Sequence, residues 1–168
     1  MGRLQARKRL DALIRACAQL PSELQPQLVF VGDGPERSDL ESLARYLYPQ
    51  AQFKGSLFGT ALEDEFNNAH LFVLPGTGGL AVQQAMAHAL PIIVAEGDGS
   101  QRDLVSSANG WLLPPDDDAA LSLALLDALS DPARLLAMGE QSFDLVQSKF
   151  NLEAMVAAFV DALNKVAS

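Results

Sequence analysis

The sequence predicts an α/β fold, a Rossmann-like parallel sheet with helices on both faces that ends in C-terminal helices, on three observations. Short, wholly apolar runs alternate with stretches whose apolar residues recur at helical spacing. Glycine and proline turns close most of the apolar runs. From Asp116 onward only the helical period remains. Strand and helix alternating five times through short connections lead to parallel strands joined by crossovers that cover the sheet. No internal repeat or low-complexity tract interrupts the pattern, so residues 1–168 read as one domain.

Taken in order, a helix is expected from about Ala6 to Leu20, with Leu10, Leu13, Ile14 and Cys17 on one face and Pro21 as its stop. Leu28 to Val31 is an apolar run closed by Gly32-Asp33-Gly34-Pro35, which fits a strand buried on both faces. Leu40, Leu43, Ala44 and Leu47 mark a second helix. A short strand around Ala51 to Phe53 ends at Gly55, and a short helix covers Leu62 to Ala69. Leu71 to Leu74 is a buried strand ending at Pro75-Gly76. Leu80 to Ala89 is a helix, Pro91 to Ala95 a strand, Gln101 to Ser107 a short helix and Trp111 to Leu113 the last strand. Asp116 or Asp117 caps the following helix, Asp131-Pro132 starts another, and Asn151 caps a last one carrying Met155, Phe159 and Leu163.

Composition narrows the function. The chain has 168 residues, 49% hydrophobic and 20% charged, enough to bury a continuous core. A formal net charge of −9 argues against a nucleic-acid partner, which needs a broad basic face. Yet Arg3, Arg7, Lys8, Arg9 and Arg15 crowd the first fifteen residues, either as a solvated helix face or as a local anion site. One cysteine, Cys17, excludes an intrachain disulfide and a cysteine metal cluster, and on an apolar helix face it reads as inert core. No apolar run reaches the ~20 residues of a transmembrane helix, and a cytoplasmic location is expected. Met1-Gly2 leads straight into a helix approach, as at the cut end of a longer chain.

In parallel α/β sheets ligands sit beyond the carboxyl ends of the strands. Three glycine-rich loops fall there: Gly32 to Pro35, Pro75 to Gly79 and Glu96 to Ser100. The second, Pro75-Gly76-Thr77-Gly78-Gly79-Leu80, follows a strand and opens a helix, an arrangement that presents free N–H groups to a phosphate. It is neither a Walker loop nor the dinucleotide fingerprint, and its glycines alone are equally consistent with a tight turn.

An ordered set of motifs resembles one known family. Gly2-Arg3-Leu4 with Lys8 looks like a Gly-Arg-Leu followed by lysine five residues after the arginine. Leu28 to Arg37 resembles a strand with a Gly-Asp-Gly-Pro turn, Phe53-Lys54-Gly55 a Phe-x-Gly, and Ala69 to Pro75 an Ala-Asp-Leu-Phe-Val-Leu-Pro strand. Ala85-Met86-Ala87, Pro91-Ile92-Ile93, Asp103-Leu104-Val105 and Asn109-Gly110 complete the series. The chain thereby resembles the C-terminal, donor-binding domain of the large retaining glycosyltransferase family called family four, with the GT-B fold. The resemblance implies a missing first strand and a missing N-terminal acceptor domain. It implies sugar transfer from a nucleotide diphosphate sugar to a glycan or lipid-linked acceptor, with no metal or other cofactor, and leaves room for peripheral attachment at the inner membrane through the missing domain. By the same resemblance Arg3 and Lys8 grip the diphosphate, and the N–H groups of Gly78, Gly79 and Leu80, placed between a strand and a helix start, are expected to join them. The ribose and nucleotide fall to Gln84, Gly32 and Asp33, and Gly76 and Thr77 form a candidate sugar loop.

The departures are specific. The family carries two glutamates with seven residues between them, and counting back from Ala85 these fall on Gln84 and Gly76. A Gln carbonyl still accepts one hydrogen bond, whereas glycine contacts nothing with a side chain. Three alternative readings follow from that change: a variant donor site served by the amides of Gly78, Gly79 and Leu80, an altered sugar preference, or a loss of catalysis; the three clustered glycines kept along with Arg3 and Lys8 favour the first. No catalytic residue is assigned within the chain, and the chain alone is expected to be inactive. The competing readings are a non-catalytic partner subunit, a GT-B-fold epimerase or phosphorylase, and, less well supported, a receiver domain. Arg7 and Arg9 read as surface charge, His70 as structural, His88 as a partly exposed surface residue and Trp111 as core. Asp98 reads equally as turn former or ligand contact, and Asp116-Asp117-Asp118 as a helix start.

Overall fold

The computed structural model of the protein describes residues 1–97, 99–151, 153, 156, 159 and 160. Its strands are β1 (Val29–Val31), β2 (Gln52–Gly55), β3 (Phe72–Leu74), β4 (Ile92–Ala95) and β5 (Gly110–Leu113). Its α-helices are α1 (Leu10–Gln19), α2 (Arg37–Leu47), α3 (Thr60–Asn67), α4 (Leu80–Ala87), α5 (Gln101–Leu104), α6 (Asp118–Leu129) and α7 (Pro132–Lys149). Asp98, Met155 and Leu163, each singled out in the sequence, lie outside the described residues.

All strand pairs are parallel, as the alternation of strands and helices predicts. They form two ladders rather than one sheet, β1 with β2 and β3-β4-β5. Among the described residues no strand lies between β1 and β3. Instead the extended segment at Gly2 to Leu4 runs beyond the end of β1, with Gly2 N–H donating to the Val31 carbonyl (2.9 Å) and Leu4 N–H to the Asp33 carbonyl (2.8 Å).

The period-two alternation of β4 explains why both faces are covered. Ile93 and Ala95 point into a core shared with Leu13, Ile14, Cys17, Leu40, Leu121 and Leu125 of α1, α2 and α6. Ile92 and Val94 point the other way, onto Phe66, Val82, Met86, Leu104 and Val105. All four β4 residues are therefore buried, and the run Ile-Ile-Val-Ala reads as uniformly apolar for that reason. Among the described residues no helix is long and apolar enough to cross a membrane.

Two helix starts follow the expected chemistry. The Asp117 carboxylate accepts from Ala120 N–H (2.8 Å) and that of Asp131 from Arg134 N–H (3.0 Å), with Pro132 in the first turn. The helix expected from Ala6 does not run through. Ala6–Lys8 is a 3-10 turn, and Arg9 adopts a left-handed conformation (φ 52°, ψ 41°) before α1 begins. The Arg9 guanidinium pairs with Asp116 (3.2 Å) and Asp118 (2.6 Å), so tertiary ion pairing outweighs local helix propensity there. Arg9 is thus a strut between the N-terminal turn and α6, not surface charge.

The expected roles of Cys17, Trp111 and His88 hold, whereas that of His70 does not. Cys17 is fully buried and its thiol is pushed up to about 12 by burial, so it is inert at neutral pH. Trp111 packs against the core, donates to Asp127 (2.9 Å) and lies under the Arg134 guanidinium at 5.2 Å. His88 is half-buried, stacks on Phe66 and hydrogen-bonds Asn67. His70, read as structural, is exposed and makes no hydrogen bond among the described residues.

Ile93→Ala should lower unfolding stability by about 2–5 kcal/mol, since its side chain is wholly enclosed between α1, α6 and the sheet. Leu80→Ala, at a residue 85% exposed, should cost less than about 0.5 kcal/mol. Denaturant unfolding of the two variants beside the parent checks both values.

Candidate anion site at the carboxyl ends of the strands

The N-terminal segment joins two of the three glycine-rich loops by backbone-to-backbone packing. Gly32 sits at φ +129°, and a β-carbon there would collide with the Gly2 carbonyl; one at Gly34 would collide with the Leu4 backbone. Glu36 N–H closes the same contact by donating to the Leu4 carbonyl (3.3 Å). At Arg7 and Lys8 the chain reaches the second loop. A β-carbon on Gly76 would overlap the Arg7 carbonyl and the Lys8 backbone, and Thr77 N–H donates to the Arg7 carbonyl at 3.0 Å. Glycine at 76 is therefore required by close approach, and the position that resembles a family glutamate has no room here for any side chain.

The turn that follows has its own supports. Arg7 Nη1 donates to Thr77 Oγ1 (3.3 Å) while its Nε donates to Gln5 Oε1 (3.0 Å). The third loop closes from the other side, with Gly97 against the Thr77 methyl and the Gln101 amide reaching the Gly78 carbonyl (3.4 Å). Helix α4 then starts at Leu80 with Gly79 before it and no side-chain cap. Among the described residues the N–H groups of Gly78, Gly79 and Leu80 donate to nothing, while Val82 and Gln83 N–H already reach the Gly79 carbonyl. Uncapped first-turn amides facing solvent are donors available to an anion. Gln84 lies one turn further along α4, also exposed.

The electrostatics separate the cations. Arg3 is exposed, and among the described residues its guanidinium has no hydrogen-bond or ion-pair partner. Lys8 is 7% exposed and turned inward, with Nζ donating to the Met1 carbonyl (2.9 Å). Burial, and then the charge of Arg7, hold its ammonium below the usual lysine range. Among the described residues, the carboxylates of the first and third loops, Asp33 and Glu96, are engaged elsewhere. Asp33 accepts from Gly34 N–H (2.7 Å) and Arg37 (3.0 Å), which hold its carboxyl below the usual range, and Glu96 pairs with Arg102 (2.6 Å). Asp33 thus caps its own turn, as its position in Gly-Asp-Gly-Pro suggests.

The structure brings the segment of Arg3 and Lys8 against the loops of Gly32, Asp33, Gly76 and Thr77, and leads from there to Gly78, Gly79, Leu80 and Gln84. Arg7 was not singled out for this site; its guanidinium, rather than that of Lys8, reaches the Thr77 turn. Gln101 was also missed. Gln101 sits in a polar stretch, Ser100-Gln101-Arg102-Asp103, where nothing local marks it for burial, and its partners are set by tertiary contact. Gly76→Ala should shift the Arg7–Lys8 backbone and lower stability by about 1–3 kcal/mol, as overpacking does; unchanged thermal unfolding would contradict the close packing.

Comparison with known proteins adds to this geometry. Residues 1–144 match the family model described as glycosyl transferases group 1. A GDP-mannose-dependent monoacylated alpha-(1-6)-phosphatidylinositol monomannoside mannosyltransferase of Corynebacterium glutamicum is 30% identical over 165 residues, covering 92% of this chain and 43% of the relative. A GDP-mannose-dependent alpha-mannosyltransferase of Mycolicibacterium smegmatis is 35% identical over 139 residues, covering 80% of this chain and 35% of the relative. Among solved structures, sucrose-phosphate synthase of Thermosynechococcus elongatus superposes with a TM-score of 0.83 at 30% identity, over 100% of this chain and 45% of that one. The chain spans less than half the length of each of these proteins.

Proposed function

The chain belongs to the glycosyl transferases group 1 family, and from that premise we propose that it is the donor-binding part of a retaining glycosyltransferase. The donor is a nucleotide diphosphate sugar, and the acceptor, a glycan or lipid-linked molecule, is held by a further domain. One observation carries the reading: a turn with free amides at Gly78, Gly79 and Leu80 is packed directly onto the basic segment of Arg3, Arg7 and Lys8. The two mannosyltransferase relatives named as GDP-mannose-dependent support a nucleotide diphosphate sugar as the class of donor.

The chemistry needs positive charge at the diphosphate. As the bond to the sugar breaks, the departing nucleotide diphosphate gains negative charge, and fixed donors aimed at it lower the barrier. Arg3 offers a planar fork to the phosphate oxygens, Lys8 a compact charge, and the α4 amides complete the cradle without a metal ion. The Gln84 carbonyl accepts from a ribose hydroxyl, the Gly32–Asp33 backbone borders the nucleobase, and the Gly76–Thr77 turn faces the sugar. With no side chain at 76, backbone and the Thr77 hydroxyl take the role a carboxylate would otherwise have there.

Calorimetry with guanosine and uridine diphosphates tests this. One of them should bind, and Arg3→Ala should weaken it by about 1.5–3 kcal/mol, the worth of a hydrogen bond to a charged group. Failure of the full-length protein to bind either nucleotide would instead favour a non-catalytic subunit.

Titration gives a second check. Free Lys8 loses its proton below the usual lysine range, and an adjacent diphosphate favours the charged form. Affinity should therefore be highest below the lowered Lys8 value, where the ammonium is charged with or without ligand, and fall as pH rises through it. In Lys8→Met it should be weaker and flat over the same range. A parent profile as flat as that of the variant would remove Lys8 from the site. Mixing this chain alone with donor and acceptor should give no transfer.

A further inference from the structure

Among the described residues Gln101 is a fully enclosed amide, at 1% exposed, and nothing in the proposed chemistry accounts for it. It opens α5, the four-residue helix after the third loop, yet it reaches back to the second. Its Oε1 accepts from Gly97 N–H (3.1 Å) and its Nε2 donates to the Gly78 carbonyl (3.4 Å). A buried amide is retained where its hydrogen bonds do something an apolar side chain cannot. Here both bonds go to backbone of glycine-rich loops, and a β-carbon at Gly97 would meet the Thr77 methyl at 3.1 Å.

The consequence lies in the peptide plane. A trans peptide points its carbonyl and the following N–H in opposite directions. Drawing the Gly78 carbonyl inward onto Gln101 therefore aims Gly79 N–H outward, toward solvent, where among the described residues it has no partner. Glycines on both sides of that plane leave it few restraints of their own, so an external hydrogen bond decides which way it faces. On the opposite side Thr77 is held by Arg7 through both backbone and hydroxyl. The turn is clamped at one end by the N-terminal segment and at the other by α5.

We infer that Gln101 is a positioning residue: it orients the Gly78–Gly79 peptide so that Gly79 N–H points at the diphosphate of the donor. The inference rests on the donor-site reading of the same loop. Gln101 touches no substrate atom and acts only through that peptide.

Gln101→Met keeps the side-chain volume and removes both hydrogen bonds. Gln101→Asn keeps the amide but is one methylene too short to reach Gly78. Both are compared with the parent protein by calorimetry with guanosine and uridine diphosphates, and by the amide resonance of Gly79 during titration with whichever binds. In each variant affinity should fall about tenfold, the scale of one lost charge-assisted hydrogen bond, and the Gly79 amide should lose its ligand-induced shift. A purely structural role would lower thermal stability and leave that amide responding as in the parent. Parent-like affinity and Gly79 response in either folded variant overturns the inference while leaving the donor reading intact. Binding of neither diphosphate to the parent removes both.

Discussion

The close approach of the Gly2–Arg9 segment to two glycine loops is the constraint on which the rest of the structure depends. Between the β1-β2 and β3-β4-β5 ladders no strand hydrogen bonds are shared, so at this end of the molecule the segment carries the contact between them. It does so with main chain: Gly32 and Gly34 admit Gly2 and Leu4, and Gly76 admits Arg7 and Lys8. Arg9 then anchors the segment to the start of α6 through Asp116 and Asp118. Gly32, Gly34 and Gly76 tolerate little change because the atoms they meet are backbone, which cannot rotate away as a side chain can.

That packing also sets the charge of the site. Although the chain is acidic as a whole, Arg3, Arg7 and Lys8 lie on the segment where the loops meet, and the carboxylates of Asp33 and Glu96 are paired with Arg37 and Arg102. The local field is thus decided by which charges are paired, not by net charge. Free amides of Gly78, Gly79 and Leu80 extend the same sign of potential along the turn into α4. An anion entering there meets donors whose geometry is fixed by Arg7 on one side and Gln101 on the other.

Much of this was legible from residue order. The runs at Val29, Phe72 and Ile92 could only be buried strands, because each is short, apolar and, for the first two, closed by glycine and proline, and the loops after them mark the ligand-facing end. Asp117 and Asp131 announced their helices by side-chain chemistry that acts within a few residues. What stayed hidden depends on contacts between distant parts of the chain. Nothing local warns that Arg9 turns left-handed, since arginine is a good helix former and its carboxylate partners lie beyond β5. Gln101 is equally mute in sequence, because its burial and both partners are products of the fold. The separation into two ladders was hidden for the same reason, since period-two patterning gives the strands but not their neighbours. Lys8 shows the converse: its type and spacing were visible, whereas its inward turn onto the Met1 carbonyl was not.

The most direct test is a crystal structure of the protein with a bound nucleoside diphosphate. The account predicts phosphate oxygens within hydrogen-bonding distance of the Gly79 and Leu80 amides and of the Arg3 guanidinium, with no metal ion between them. A diphosphate bound away from this turn, or held there only through a divalent cation, would contradict it.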